Sequence, residues 1–293
     1  MKGFHKFIGG IGVAWLACAP LSYAQPRASD AIVSAPPAPY SAADAAQHLD
    51  DFRRLMQIGD FCVKFDLLHR PKPPAAETRF TGIAWSSWSG QGPVWRFRVL
   101  APAAGNSSVP PATWEWLVQN GPTPHIWVLA PGADAAREVP EAEWHQPLFA
   151  GTVYTPFDLL MPFLFWKDYD YNGTNRIEGS AVDVYTMKPP AAEQSGGGAV
   201  RISIDRKLGN LVVAEQLDAK GAVLRKFDLR DFAKVQGRWM LKTCELLNVA
   251  GRDYDRFEVT GAAMNLQIDA EIFNPAHLGT PAPEPPAKAW ADL

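Results

Sequence analysis

An excess of one charge is missing from this sequence. Lys and Arg number 28 against 31 Asp and Glu, for a net charge of −3. A nucleic-acid partner is excluded on that ground, because such a surface carries a clustered basic patch. Long apolar runs are also missing. After the first residues no stretch approaches the roughly 20 needed for a helix to cross a bilayer. Cysteine is scarce, with three residues, Cys18, Cys62 and Cys244. That is too few for a disulfide scaffold or a four-cysteine zinc site. No His-Glu-x-x-His, Cys-x-x-Cys pair, Gly-x-Ser-x-Gly elbow or phosphate-binding glycine loop occurs. Ser195-Gly196-Gly197-Gly198 lacks the Lys and helix that such a loop requires. His69, His125, His145 and His277 are scattered over loops and strand ends. Asp168/Asp170 and Asp228/Asp231 read as a solvated turn and a charged strand face. No catalytic residue, metal or cofactor is nominated, and the reading is non-enzymatic.

What is present begins with a leader. Lys2 and Lys6 precede an apolar run of about ten residues, Phe7 to Leu16, typical of a signal-peptide core. Ser22-Tyr23-Ala24 is a small-x-small cleavage site, which places residues 1–24 outside the fold and the mature protein in the periplasm. A rival reading makes Cys18 a lipidated N-terminus, but Trp15-Leu16-Ala17 is a poor lipobox. Residues 25–40 are rich in Pro, Ala and Ser and read as a disordered lead-in.

From Ser41 a capped helix is expected, with Ala45, Leu49, Phe52, Leu55 and Met56 at helical spacing and Gly59 as its stop. Strands follow. Val63, Phe65 and Leu67 alternate with Lys64 and Asp66, and Trp95, Phe97 and Val99 alternate with Arg96 and Arg98. Asn210 to Phe232 is a complete hairpin around Asp218-Ala219-Lys220-Gly221, with Phe227 and Leu229 on one face and Lys226, Asp228 and Arg230 on the other. The spacing gives about eleven short strands with regular turns, hence a mainly β protein. An open antiparallel sheet of this length leaves edges, so a curled sheet or barrel is expected, and such a barrel can hold a ligand.

One stretch departs from the β pattern. Thr155 to Trp166 reads TPFDLLMPFLFW, in which Asp158 opens a short helical turn that Pro162 breaks. It is either core or a lid over a pocket. The polar run Asp168 to Gly173 reads as a turn. Tryptophan is abundant, with 11 residues. An aromatic-lined interior beneath this segment suits an acyl chain, and Trp85, Trp95, Phe97, Trp116, Trp127, Leu160, Met161, Phe163, Phe165 and Trp166 are the candidate ligand-binding residues. Ordinary packing is the competing explanation for the same aromatics. Cys62 and Cys244 meet as a disulfide if the first and penultimate strands are neighbours; otherwise they are separate thiols.

The exported chain, the segment DLLMPFLFWKDYDYNGTNRIEG, the run RISIDRKLGNLVVAEQLDAKGAVLRKFDLRDFAKVQGRWMLKTCELLN and the closing FEVTGAAMNLQIDAEIFNPAHL resemble the outer-membrane lipoprotein-sorting, LolA-like family. Phe273, Pro275 and Leu278 match a family ending of the form Phe-x-Pro-x-x-Leu, and the resemblance spans Ala42 to Leu278. It implies a half-open antiparallel β-barrel with an N-terminal helix beneath the open side and a mid-chain helical lid at Phe157 to Trp166. It also implies an apolar cavity that carries the acyl chains of lipoproteins or other lipids, with inner- or outer-membrane envelope proteins as partners. The chain departs from the family in Pro-rich insertions at Ala101 to Ala112 and Pro189 to Gly198, and in having no residue that maps onto the family's functional arginine. One domain is expected over 41–279, followed by a disordered tail over 280–293. An interaction module of an envelope complex is the alternative.

Overall fold

The computed structural model describes residues 37–55, 59–102, 111–190 and 198–293. The leader with Cys18, most of the lead-in, Met56 and parts of both Pro-rich insertions lie outside the described residues.

Among the described residues, fourteen strands form one antiparallel sheet. They are β1 (Asp60–Arg70), β2 (Thr78–Ser89), β3 (Gly92–Leu100), β4 (Thr113–Gln119), β5 (His125–Leu129), β6 (Arg137–Glu138), β7 (Tyr169–Ile177), β8 (Ser180–Met187), β9 (Val200–Asp205), β10 (Leu211–Leu217), β11 (Val223–Val235), β12 (Arg238–Asn248), β13 (Asp253–Leu266) and β14 (Ala291–Asp292). The spatial order is β6-β5-β4-β3-β2-β1-β13-β12-β11-β10-β9-β8-β7, with β14 attached to β13. Two meanders, β1–β6 and β7–β13, are therefore joined where β1 pairs with β13, and β6 and β7 remain as unjoined edges. The expected half-open barrel is this curled, unclosed sheet.

The β10–β11 hairpin forms as its sequence requires. Asp218 Oδ1 accepts the N–H groups of Lys220 and Ala222, each at 2.8 Å. Gly221 supplies φ 83°, which costs a residue without a side chain little. Phe227 and Leu229 are buried on the concave face with Ile202, Ile204 and Leu246.

The helix α1 (Ala42–Leu55) buries Ala45, Leu49 and Phe52 in the main core. Ser41 caps it, its Oγ accepting the Asp44 N–H at 3.2 Å. Tyr185 on β8 donates its hydroxyl to the Ala45 carbonyl at 3.0 Å, which seats α1 against the β7–β9 half of the sheet.

Two expectations need correction, and the open choice between a disulfide and two separate thiols is decided. Asp168 to Gly173 is not a turn: β7 starts at Tyr169, and a bulge between Tyr171 and Thr174 absorbs Asn172 and Gly173, the latter at φ 86°. Residues 280–293 are ordered, not a disordered tail. Ala282 is buried, Trp85 Nε1 donates to Pro283 O at 2.9 Å, and β14 joins the sheet. Cys62 and Cys244 are free and buried. β13 lies between their strands, and the two thiols sit in separate clusters, Cys244 among the concave-side residues and Cys62 beside Trp85.

Candidate functional site

A cavity opens between the concave face of β1, β3, β4, β12 and β13 and the segment 148–159. Phe61, Val63, Phe65 and Leu67 contribute one wall, alternate residues of β1 as a pleated strand requires. Trp95, Phe97 and Val99 of β3 and Trp116 of β4 continue it. Met240, Leu241, Cys244, Phe257, Val259 and Met264 form the opposite side, and Leu148, Phe149, Tyr154 and Leu159 form the roof. The cavity has a volume of ≈ 90 Å³.

Aromatic packing sets the shape of the wall. Phe65 stacks on Phe257 at 4.7 Å and Trp95 on Phe97 at 5.5 Å. Gly82 on β2 makes room for the Phe65 ring, because a Cβ there would run into that ring and into the Arg98 carbonyl.

The lining holds no charged group. Its polar atoms are few. The Tyr154 hydroxyl and the Cys244 thiol pair with each other at 3.4 Å, and burial pushes the Cys244 thiol up to about 12. The Trp116 indole N–H is buried and has no hydrogen-bond partner among the described residues. The cavity can therefore hold apolar matter.

The roof is pinned by side chains from below and from the sides. Asp255 Oδ2 on β13 accepts the N–H groups of Val153 at 2.6 Å and Tyr154 at 2.9 Å, while Oδ1 lies 2.7 Å from His69 Nδ1. Arg225 Nη2 on β11 donates to the Val153 carbonyl at 2.6 Å and to Asp158 Oδ2 at 2.7 Å. Asp158 also accepts from the Thr155 N–H at 2.7 Å, which starts the short helix α2 (Pro156–Leu160). At its other end Asn120 Nδ2, in the β4–β5 turn, donates to Leu159 O at 3.0 Å and Leu160 O at 2.6 Å. Met161 then adopts a left-handed conformation, φ 41°, before Pro162 begins a 3₁₀ turn through Leu164. Arg53 of α1 secures the far side, donating to Leu164 O at 2.8 Å and Trp166 O at 2.6 Å.

The ten candidate residues are not one site. Trp95, Phe97 and Trp116 line the cavity. Leu160 and Trp166 are buried in the core beside it, and Phe165 packs partly buried against that core. Met161 and Phe163 line a separate small cleft with Arg225 and Asp158. Trp85 and Trp127 lie on the other face of the sheet, Trp85 with Cys62 and Ile83, and Trp127 against Val94, Leu117 and Leu278. Sequence reasoning took strand alternation to mean one wet face. Residues 266–293 cover that second face instead, so it is apolar too. The roof residues Leu148, Phe149 and Tyr154 carried no periodic signal and were missed. The Phe61–Leu67 wall was visible as alternation but was not nominated.

Among the described residues no group of three or more His, Cys, Asp or Glu is placed to hold a metal ion, and no helix is long and apolar enough to cross a membrane.

An open antiparallel sheet curled over an apolar cavity and roofed by a short helical segment is the LolA-like fold, and solved structures share it. A DUF1329 family protein from Desulfovibrio piger superposes with a TM-score of 0.65 at 12% identity, covering 79% of this chain and 95% of that one. A putative outer membrane lipoprotein-sorting protein domain from Vibrio parahaemolyticus gives 0.65 at 13% identity, with 79% and 95% covered. A LolA superfamily protein from Nitrosomonas europaea gives 0.57 at 14% identity, with 80% and 98% covered. No curated protein matches the chain in sequence. A family model described as that of an uncharacterized protein matches residues 116–280, more than half of the chain, and the chain belongs to that family.

Proposed function

We propose that this protein is a periplasmic carrier that binds the acyl chain of a lipid or lipoprotein in the cavity beneath residues 148–159. The observation that carries the reading is a lining of apolar side chains with no charge in it. Burial of an acyl chain there is driven by about 0.8 kcal/mol per methylene. A headgroup carrying charge has no partner inside and stays at the mouth.

Size adds a mechanism. An apolar cavity of about 150 Å³ holds a benzene molecule, so the ≈ 90 Å³ present here takes only a few methylenes with the roof down. Loading a long chain then requires the roof to lift, and the Asp255, Arg225 and Asn120 contacts are the ones that lifting breaks. Export by the leader places the carrier in the periplasm, and the shared fold with a lipoprotein-sorting domain supports sorting or lipid transfer as its setting.

Native mass spectrometry of the protein purified from a periplasmic extract, followed by organic extraction, tests the reading. A co-purifying lipid or acylated peptide is the expected result. A clean unliganded mass, together with no uptake of a fluorescent fatty acid, overturns it.

A further inference from the structure

The sheet is split beside the cavity. β12 and β13 pair from Thr243↔Glu258 to Asn248↔Asp253 and no further. Beyond that point β12 continues as Arg238 to Lys242, held only by β11. β13 continues to Leu266, held by β1 along one edge, from Arg70↔Tyr254 to Asp60↔Leu266. The other edge of β13 is thus left without β12 from Val259 onward. Cavity-lining residues stand on both sides of the split: Met240 and Leu241 on β12, Val259 and Met264 on β13.

The segment 286–293 occupies this vacancy. Ala291 pairs with Ala262 and Asp292 with Gly261. Because β1 already takes the opposite edge of β13, β14 must sit on the edge that β12 abandons. Leu293 N–H donates to Thr260 O at 3.1 Å, and Ala291 and Leu293 pack against the core cluster that contains the cavity. The segment packs directly on β13: a Cβ at Gly261 would be in ordinary contact with Trp290 and the Ala291 carbonyl, each at 3.6 Å. Trp290 rests outside, below Lys64 Nζ at 4.5 Å from its ring. The hold is short, two ladder residues, whereas each neighbouring strand is held along most of its length.

We propose that the split between β12 and β13 is a lateral port into the cavity, and that Ala291–Leu293 is its removable plug. The port gives the end of an acyl chain a way in through the wall before the roof lifts to take its length, and the ligand class is that of the carrier reading on which the use of the port rests. The edge of β13 that the plug covers is also the backbone that an extended peptide from a donor or acceptor would pair with when it displaces β14.

Cys244 tests the port without any ligand, since its thiol lines the cavity. Native protein is treated with N-ethylmaleimide, and modification is read at the Cys244 peptide by mass spectrometry. Deleting residues 286–293 is expected to raise the Cys244 rate at least tenfold with near-UV circular dichroism retained. Leu293→Ser, which weakens the plug without removing the strand, is expected to give an intermediate rate. A parent-like rate in either folded variant overturns the port, even if the deletion proves too unstable to read. A raised Cys244 rate in a chain that takes up no fluorescent fatty acid keeps the port and removes the carrier. Uptake in the parent with an unchanged Cys244 rate in the variants does the reverse.

Discussion

Asp255 holds Tyr154 over the cavity. Its carboxylate, inside the sheet wall and without solvent exposure, accepts the Tyr154 N–H at 2.9 Å while the Tyr154 ring forms part of the roof. Removing the carboxylate with Asp255→Ala leaves two buried N–H groups and His69 without their partner. Loss of one member of such a buried set costs about 3–5 kcal/mol, to be read from urea midpoints. Asp255→Asn retains an acceptor for the loop and is expected to cost less.

The same residue predicts a pH dependence. Burial pushes the Asp255 carboxyl above its usual range, against the pull of the Tyr154 and Val153 N–H groups and His69. A group whose folded pKa is raised binds its proton more tightly folded than unfolded. Its contribution to stability is then complete below the ordinary carboxylate value of 3.8 and is lost as pH rises through the folded value. The melting temperature of the wild type relative to Asp255→Asn is expected to rise as pH falls from neutrality toward that value. A difference that shrinks on acidification contradicts this account.

Filling the cavity separates binding from folding. Val259 lies on the wall beside Phe257, and Val259→Phe places a ring in the space an acyl chain needs. Affinity for a fluorescent fatty acid is expected to fall at least tenfold, a loss of about 1.4 kcal/mol. Overpacking costs typically about 1–3 kcal/mol, so circular dichroism should show the fold retained.

How far the sequence shows this site depends on which face a strand presents. The hairpin from Leu211 to Val235 was legible because polar and apolar residues alternate around a turn with Asp218 and Gly221 in their places. Trp85 and Trp127 were misassigned because alternation reports which residues share a face, not which face is concave. Here both faces are covered. β7 was hidden by Asn172-Gly173, a turn signal that the chain uses as a bulge. The roof clamps were not legible at all, since Asp255, Arg225, Asn120 and Arg53 act on segments 39 to 113 residues away. The apolar run Thr155 to Trp166 stood out, because it has no strand period and Pro162 interrupts it, but of its side chains only Leu159 reaches the roof and most of the others pack in the core.

Arg53 couples α1 to the segment after α2 through two carbonyls, Leu164 O and Trp166 O. Arg53→Met keeps the stem and removes both donors. Hydrogen bonds from a charged group contribute about 1.5–3 kcal/mol each, and partial exposure of the Arg53 side chain, 22%, places the expected loss at the lower end. Hydrogen exchange should accelerate at residues 162–166 and leave β1 unchanged.

The buried charges under residues 270–280 give the most discriminating stability test. Arg96 Nη2 donates to Glu115 Oε2 at 2.6 Å and to Thr280 O at 2.6 Å, and Nη1 donates to Ile272 O at 3.2 Å. Glu115 in turn accepts the Gly279 N–H at 3.0 Å and Arg98 Nε at 3.1 Å. Both Arg96 and Glu115 are almost wholly buried, at 2% and 3% exposure. Arg96→Met alone frees two carbonyls and leaves the Glu115 carboxylate with only the partly exposed Arg98 as its ion-pair partner, and Glu115→Leu alone leaves the buried Arg96 guanidinium without a carboxylate; each is expected to cost about 3–5 kcal/mol. The double variant removes both charges together and replaces them with apolar side chains, so it should lose clearly less than the sum of the singles. Strictly additive losses in a double-mutant cycle would mean that the two side chains secure the covering segment independently, each through its own contacts to the backbone.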